Sequence, residues 1–116
     1  MEHTMRLNPV PFAMIRSGQK TIELRLYDEK RQIIAPGDTI RFYNTAAPSQ
    51  TILAAVQALY VFSDFAELYK KLPLLECGYT KENVAEATPK DMEQYYPPEK
   101  QAQFGVVGIR VAVMEV

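Results

Sequence analysis

The chain has 116 residues, 47% of them apolar, enough for one domain to bury a core without disulfides or a structural metal. Its 13 Lys and Arg stand against 14 Asp and Glu, a net charge of −1, so the strongly basic balance of a duplex-binding protein is absent and any contact with nucleic acid has to rest on a local patch. A single cysteine, Cys77, and a single histidine, His3, exclude an internal disulfide and a cysteine-based zinc site; no metal and no cofactor is expected.

The N-terminal stretch has no continuous apolar segment, so neither a signal peptide nor a membrane span is expected, and the cytoplasm is the expected location. Cys77, in "LLECGY", reads as a buried, inert thiol.

In chain order, "HTMRLN" alternates with Met5 and Leu7 on one side and predicts a short strand. A helix follows, with Asn8 as the cap, Pro9 in its first turn, Gly18 at its stop, and Phe12 and Ile15 as the buried stripe. "TIELRLY" alternates cleanly: Ile22, Leu24 and Leu26 face one way, Thr21, Glu23, Arg25 and Tyr27 the other. "DEKRQ" reads as a polar turn or loop, "PGD" as a turn, and "TIRFYN" as a strand with Ile40 and Phe42 opposite Arg41 and Tyr43. "TAAPSQ" reads as a loop, and residues 51–62 as a long strand bent by a bulge.

Helix signals fill the next span. Asp64 with Glu67 resembles a capping box, with Phe65, Leu68 and Leu72 behind it, and "TPKD" at 88–91 is a second start. "VVGIRVAVMEV" predicts a closing strand with Val107, Ile109, Val111 and Val113 on one face. The expected fold class is α+β: a small, partly open β-barrel with peripheral helices, one domain over residues 1–116 with a helical insertion at 63–103. The apolar faces of its strands are expected to meet in one core. No Gly-rich phosphate loop is present, which argues against nucleoside-triphosphate and dinucleotide chemistry.

The segment "GQKTIELRL" crowds Lys20, Glu23 and Arg25 behind a glycine. Lys20 has the wrong parity to share the face of Glu23 and Arg25 on a flat strand, but Gly18 lets the backbone turn and a long lysine stem can curl back. Such a set can be a solvated strand face with cross-strand ion pairs, or charged groups held at a site. Tyr27 and Tyr43, beside Arg25 and Arg41, can stack on a base while the arginines hold phosphate, or can simply cover the barrel rim.

The ordered set Gly18, Lys20, Glu23, Arg25, Gly37, Asp38, Ile40 and Phe42, inside "PFAMIRSGQKTIELRLYDEKRQIIAPGDTIRF", resembles the signature of the ASCH domain family within the PUA-like superfamily; the "GVVGIRV" strand fits less specifically. The resemblance implies a PUA-like barrel with a cleft beside the helix and the charged strand, binding RNA or modified nucleosides. One bacterial group in that superfamily hydrolyses N-acetylated cytidine with a lysine, a threonine and a glutamate. Lys20 matches that lysine. Glu23 stands where that group has its threonine, Thr21 lies one residue after Lys20, and Glu76 and Glu82 are candidates for the glutamate.

The expected ligand-binding residues are therefore Lys20, Thr21, Glu23, Arg25, Tyr27, Arg41 and Tyr43, with Lys20, Glu23 and Arg25 gathered at a concave surface and the insertion closing one side. The expected partner is RNA or a nucleoside-like ligand, with no membrane partner. Hydrolysis with Lys20 and Glu23 as the acid–base pair is the alternative, and a non-catalytic interaction module a third. Replacing Lys20 or Glu23 is expected to leave folding nearly intact.

Overall fold

The computed structural model describes residues 1–115. Strand β1 (Glu2–Leu7) leads into helix α1 (Pro9–Ser17), followed by strand β2 (Ile22–Leu26), the one-turn helix α2 (Glu29–Gln32), and strands β3 (Thr39–Asn44) and β4 (Ala47–Phe62). Helix α3 (Phe65–Lys71), three short 3-10 turns and helix α4 (Pro98–Phe104) then precede the closing strand β5 (Val106–Glu115). The five strands form one curled half-barrel sheet in the order β1-β3-β4-β5-β2, with helices around it.

Most element boundaries follow local chemistry. Gly18 ends α1 in the left-handed region at φ 87°, its N–H donating to the Ile15 carbonyl oxygen. Asn8 occupies the cap position but does not cap through its side chain; its Oδ1 instead accepts from the Thr45 hydroxyl. The polar "DEKRQ" segment is α2 rather than a loop, because the Asp28 carboxylate accepts from the Arg31 backbone N–H. "TAAPSQ" is mostly strand, since β4 already begins at Ala47.

β4 spans 16 residues and serves two partners. Its first half pairs antiparallel with β3, its second half with β5, and the register against β5 shifts between Leu53 and Ala54 and between Val56 and Ala58. These irregularities bend the strand where it changes partner. β1 and β2 are the outer strands; β1 runs parallel to β3, which requires the α1–β2–α2 segment as its crossover.

The expected single core is two. Met5, Phe12, Ile15, Ile40, Phe42, Ile52, Val107, Ile109 and Val111 pack on the inner side of the sheet under α1, with Phe12 only 1% exposed. Ile22, Leu24 and Val106 face the other way and pack against Phe65 and Leu68 of the insertion. The apolar face of β2 therefore does not join the core of β3. Val113, at 38% exposure, lies past the end of the buried run of β5. Because β2 pairs antiparallel with β5, Glu23 opposes Ile109 and Arg25 opposes Val107, so the charged face of β2 looks inward.

Candidate nucleic-acid interface

Lys20, Glu23 and Arg25 form one compact network. The Lys20 backbone N–H donates to the Met14 carbonyl oxygen of α1, which fixes the residue just before β2 and lets its stem curl back. Lys20 Nζ then lies 2.7 Å from Glu23 Oε1. Arg25 donates to the other carboxylate oxygen, Oε2, through Nε at 2.8 Å and NH2 at 2.7 Å. Lys20 is 9% exposed and Glu23 4%, so this is an inward-turned ion triad, not a solvated strand face. Burial by itself raises the Glu23 pKa, but the fields and hydrogen bonds of Lys20 and Arg25 outweigh it and hold the carboxyl below its usual range.

Arg25 reaches further. Its NH2 also donates to the backbone carbonyl oxygen of Arg6 at 2.8 Å, linking the two outer strands across the gap in the barrel. That gap is an open groove of about 1200 Å³. β1 forms one wall, while Lys30, Arg31, Ile33 and Ile34 of α2 and its following loop form the other, with Tyr43 and Asn44 at one end. Arg31 is paired with Asp28 at 3.0 Å, whereas Arg6 and Lys30 make no ion pair among the described residues. His3, one of the lining residues, has its Nε2 2.8 Å from Asp38 Oδ2. That bond, with the Ala35 backbone N–H, pulls the Asp38 carboxyl down to about 2.

The candidate residues divide accordingly. Arg25 and Tyr43 line the groove; Lys20 and Glu23 lie behind Arg25 and do not. Tyr27 is half-buried against the inner core. Arg41 sits outside the groove on the outer face of β3, bonded to Glu2 at 3.4 Å and to Thr51 Oγ1 at 3.1 Å. Thr21 belongs to a neighbouring polar cluster: its hydroxyl donates to Glu76 Oε1 at 2.7 Å, and Arg110 NH1 donates to the same oxygen at 2.9 Å. Those two hydrogen bonds hold the Glu76 carboxyl below its usual range. Glu82, the other glutamate candidate, is exposed.

The insertion walls the lysine. Lys20 Cδ lies 3.6 Å from where a Cβ at Gly78 would stand, and the Thr21 backbone N–H donates to the Glu76 carbonyl oxygen at 2.9 Å. Tyr96, from the same span, sits beside Arg25 with its hydroxyl pKa raised by burial. Among the described residues no cluster of His, Cys, Asp and Glu is arranged to hold a metal, and no helix is long and apolar enough to cross a membrane.

Sequence reasoning missed Arg6, Lys30 and Arg31. Their only signal was alternation in β1 and a basic pair inside a segment read as a turn; their meeting depends on the sheet order.

The family model of the ASCH domain matches residues 5–115. The chain belongs to the ASCH domain family. No curated protein matches it, but solved structures do. The hypothetical protein PH0355 is 31% identical with a TM-score of 0.81, over 98% of this chain and 100% of that one. Protein PF0455 from Pyrococcus furiosus is 32% identical with a TM-score of 0.76, over the full length of both chains. The ASCH protein of Zymomonas mobilis shares the fold at 19% identity and a TM-score of 0.68, covering 96% of this chain and 66% of its own. In this ASCH domain, the Lys–Glu–Arg signature of the sequence is the buried triad whose arginine reaches the groove.

Proposed function

We propose that this ASCH domain binds single-stranded RNA, or a nucleotide excised from it, in the groove between β1 and α2. The observation that supports this reading is the cation set. Arg6, Arg25, Lys30 and Arg31 border the groove, and Glu2 is its one acid among the lining residues, in a chain whose net charge is −1. Arg6 and Lys30 hold phosphate oxygens, Tyr43 offers a ring for stacking, and the Lys20–Glu23 pair fixes the guanidinium plane of Arg25. With so few free cations, binding is modest and falls steeply with salt.

The test is a binding series with labelled RNA octamers and nucleoside monophosphates. Arg6→Gln and Lys30→Gln each reduce the slope of log affinity against log salt by about 1, and Tyr43→Ala costs about 1–3 kcal/mol of binding. RNA affinity unchanged in all three variants would overturn the groove as the binding surface.

Hydrolysis is the second reading, and the contact between Thr21 and Glu76 supports it. A hydroxyl donating at 2.7 Å to a carboxylate held ionised has the arrangement of a nucleophile beside its base, with Lys20 one residue away. The substrate class is an amide on a modified base, as in N-acetylated cytidine, or an RNA phosphodiester. Chromatography of products from both substrates, with Thr21→Ala as the control, decides it; no product with either substrate overturns this reading.

A further inference from the structure

We infer that the backbone of Thr4, on the free edge of β1, reads the Watson–Crick edge of an unpaired base in the groove. The inference rests on the groove reading above and adds to it what the cations cannot supply: contact with the base rather than the phosphate.

Backbone parity along β1 carries the first step. The carbonyl oxygens of Met1 and Leu7 accept from the N–H groups of Thr39 and Thr45 across the parallel pairing. In a parallel ladder alternate residues turn both backbone groups toward the same neighbour, so the odd-numbered residues of β1 bond to β3. The even-numbered residues, Glu2, Thr4 and Arg6, turn theirs away from β3 and toward the groove. Arg6 is already engaged, since its carbonyl oxygen accepts from Arg25. Thr4, midway along this wall, keeps an N–H donor and a C=O acceptor side by side with no partner among the described residues.

A donor beside an acceptor is the complement of the Watson–Crick edge of any of the four bases, each of which places an acceptor next to a donor there. In a duplex that edge is consumed by pairing, so the edge of β1 favours a single strand. An extended peptide adding to β1 as a sixth strand is the competing occupant. Its ladder needs several consecutive outward residues, and here the Arg25–Arg6 bond interrupts the run after Thr4. The cations on the groove walls favour a polyanion, and one planar base fills the remaining stretch.

Proline is tolerated on a sheet edge where its missing N–H faces outward. Thr4→Pro therefore removes the proposed donor while leaving the ladder to β3, and Thr4→Val keeps the donor while removing the hydroxyl. With an octauridylate probe, Thr4→Pro weakens binding about ten-fold and Thr4→Val less than about two-fold. With an octamer of abasic sugar-phosphate, which keeps the charge and lacks the bases, Thr4→Pro has no effect. The parent protein gives a measurement that no variant needs: the Thr4 amide resonance shifts and its exchange slows on adding octauridylate, and neither happens with the abasic chain.

Failure of octauridylate to bind, or binding indifferent to Arg6→Gln and Lys30→Gln, overturns the groove reading and this inference with it. Binding that those two variants weaken, together with an unmoved Thr4 amide, overturns this inference alone. An acidic peptide of eight residues that binds and slows exchange at Glu2, Thr4 and Arg6 together would also overturn it, in favour of strand addition.

Discussion

The guanidinium of Arg25 on β2 meets the backbone carbonyl oxygen of Arg6 on β1 at 2.8 Å, so one side chain spans the two unpaired margins of the sheet. It does so while both its Nε and NH2 hold Glu23. A planar fork can serve two acceptors on different strands, and an ammonium on a shorter reach cannot. Arg25→Lys is expected to lose about 1–2 kcal/mol of stability by urea unfolding, and to lower groove affinity as well. A lysine variant as stable as the parent would show that the bridge contributes nothing to closure.

Glu23 is one of three carboxyls, with Asp38 and Glu76, whose lowered pKa makes stability depend on acid pH. Its folded pKa lies below the ordinary glutamate value of about 4.5, so the unfolded chain takes up the proton first as pH falls. The stabilisation it gives is thus complete above about pH 4.5 and lost as pH drops through the lower folded value. In urea titrations at successive pH values, the parent is expected to lose stability below that point and Glu23→Gln to lose less. At neutral pH the same variant leaves Lys20 and Arg25 buried without their anion and costs on the order of 3 kcal/mol. The sequence suggested that this position could be changed with folding nearly intact; its burial reverses that expectation. Equal pH profiles for the two proteins would remove Glu23 from the account.

Burial makes Cys77 inert: desolvation outweighs the nearby cations Lys20 and Arg110 and pushes the thiol pKa up to about 12. Labelling by a disulfide reagent at pH 8 is expected to be more than about 100-fold slower in the native protein than in urea. Comparable rates in the two conditions would place the thiol at the surface.

Phe12 anchors α1 on the inner core. Phe12→Ala is expected to lower the unfolding free energy by about 3–5 kcal/mol, seen as a shifted denaturant midpoint with an unchanged slope. A loss under about 1 kcal/mol would mean that the helix is not held by this ring.

What could be read from the sequence followed local rules. Pro9 and Gly18 bracket α1, Asp64 and Thr88 mark the starts they promised, and alternation in "TIELRLY" sorts Ile22 and Leu24 from Glu23 and Arg25 correctly. Alternation does not say which layer covers which face. β2 is covered on both sides, by the insertion on one and by the barrel interior on the other, so its apolar face was assigned to the wrong core. Lys20 was legible because a long stem beside a flexible backbone has few places to put its charge except on the nearby Glu23. Arg6 and Lys30 were not legible as a pair. Twenty-odd residues separate them, and only the strand order, with β1 and β2 at opposite margins, makes them neighbours.

Val106 and Val107 are consecutive, both fully buried, and belong to different cores. At that point β5 is a partition wall with tenants on each side. Removing the 63–103 span would strip one of them away and leave Ile22, Leu24 and Val106 facing water. The span therefore supplies one of the two apolar layers that bury β5, however peripheral its helices look. A shortened relative of this chain would expose the apolar back of β2, the strand that carries Glu23 and Arg25, unless another apolar cover took the place of that span.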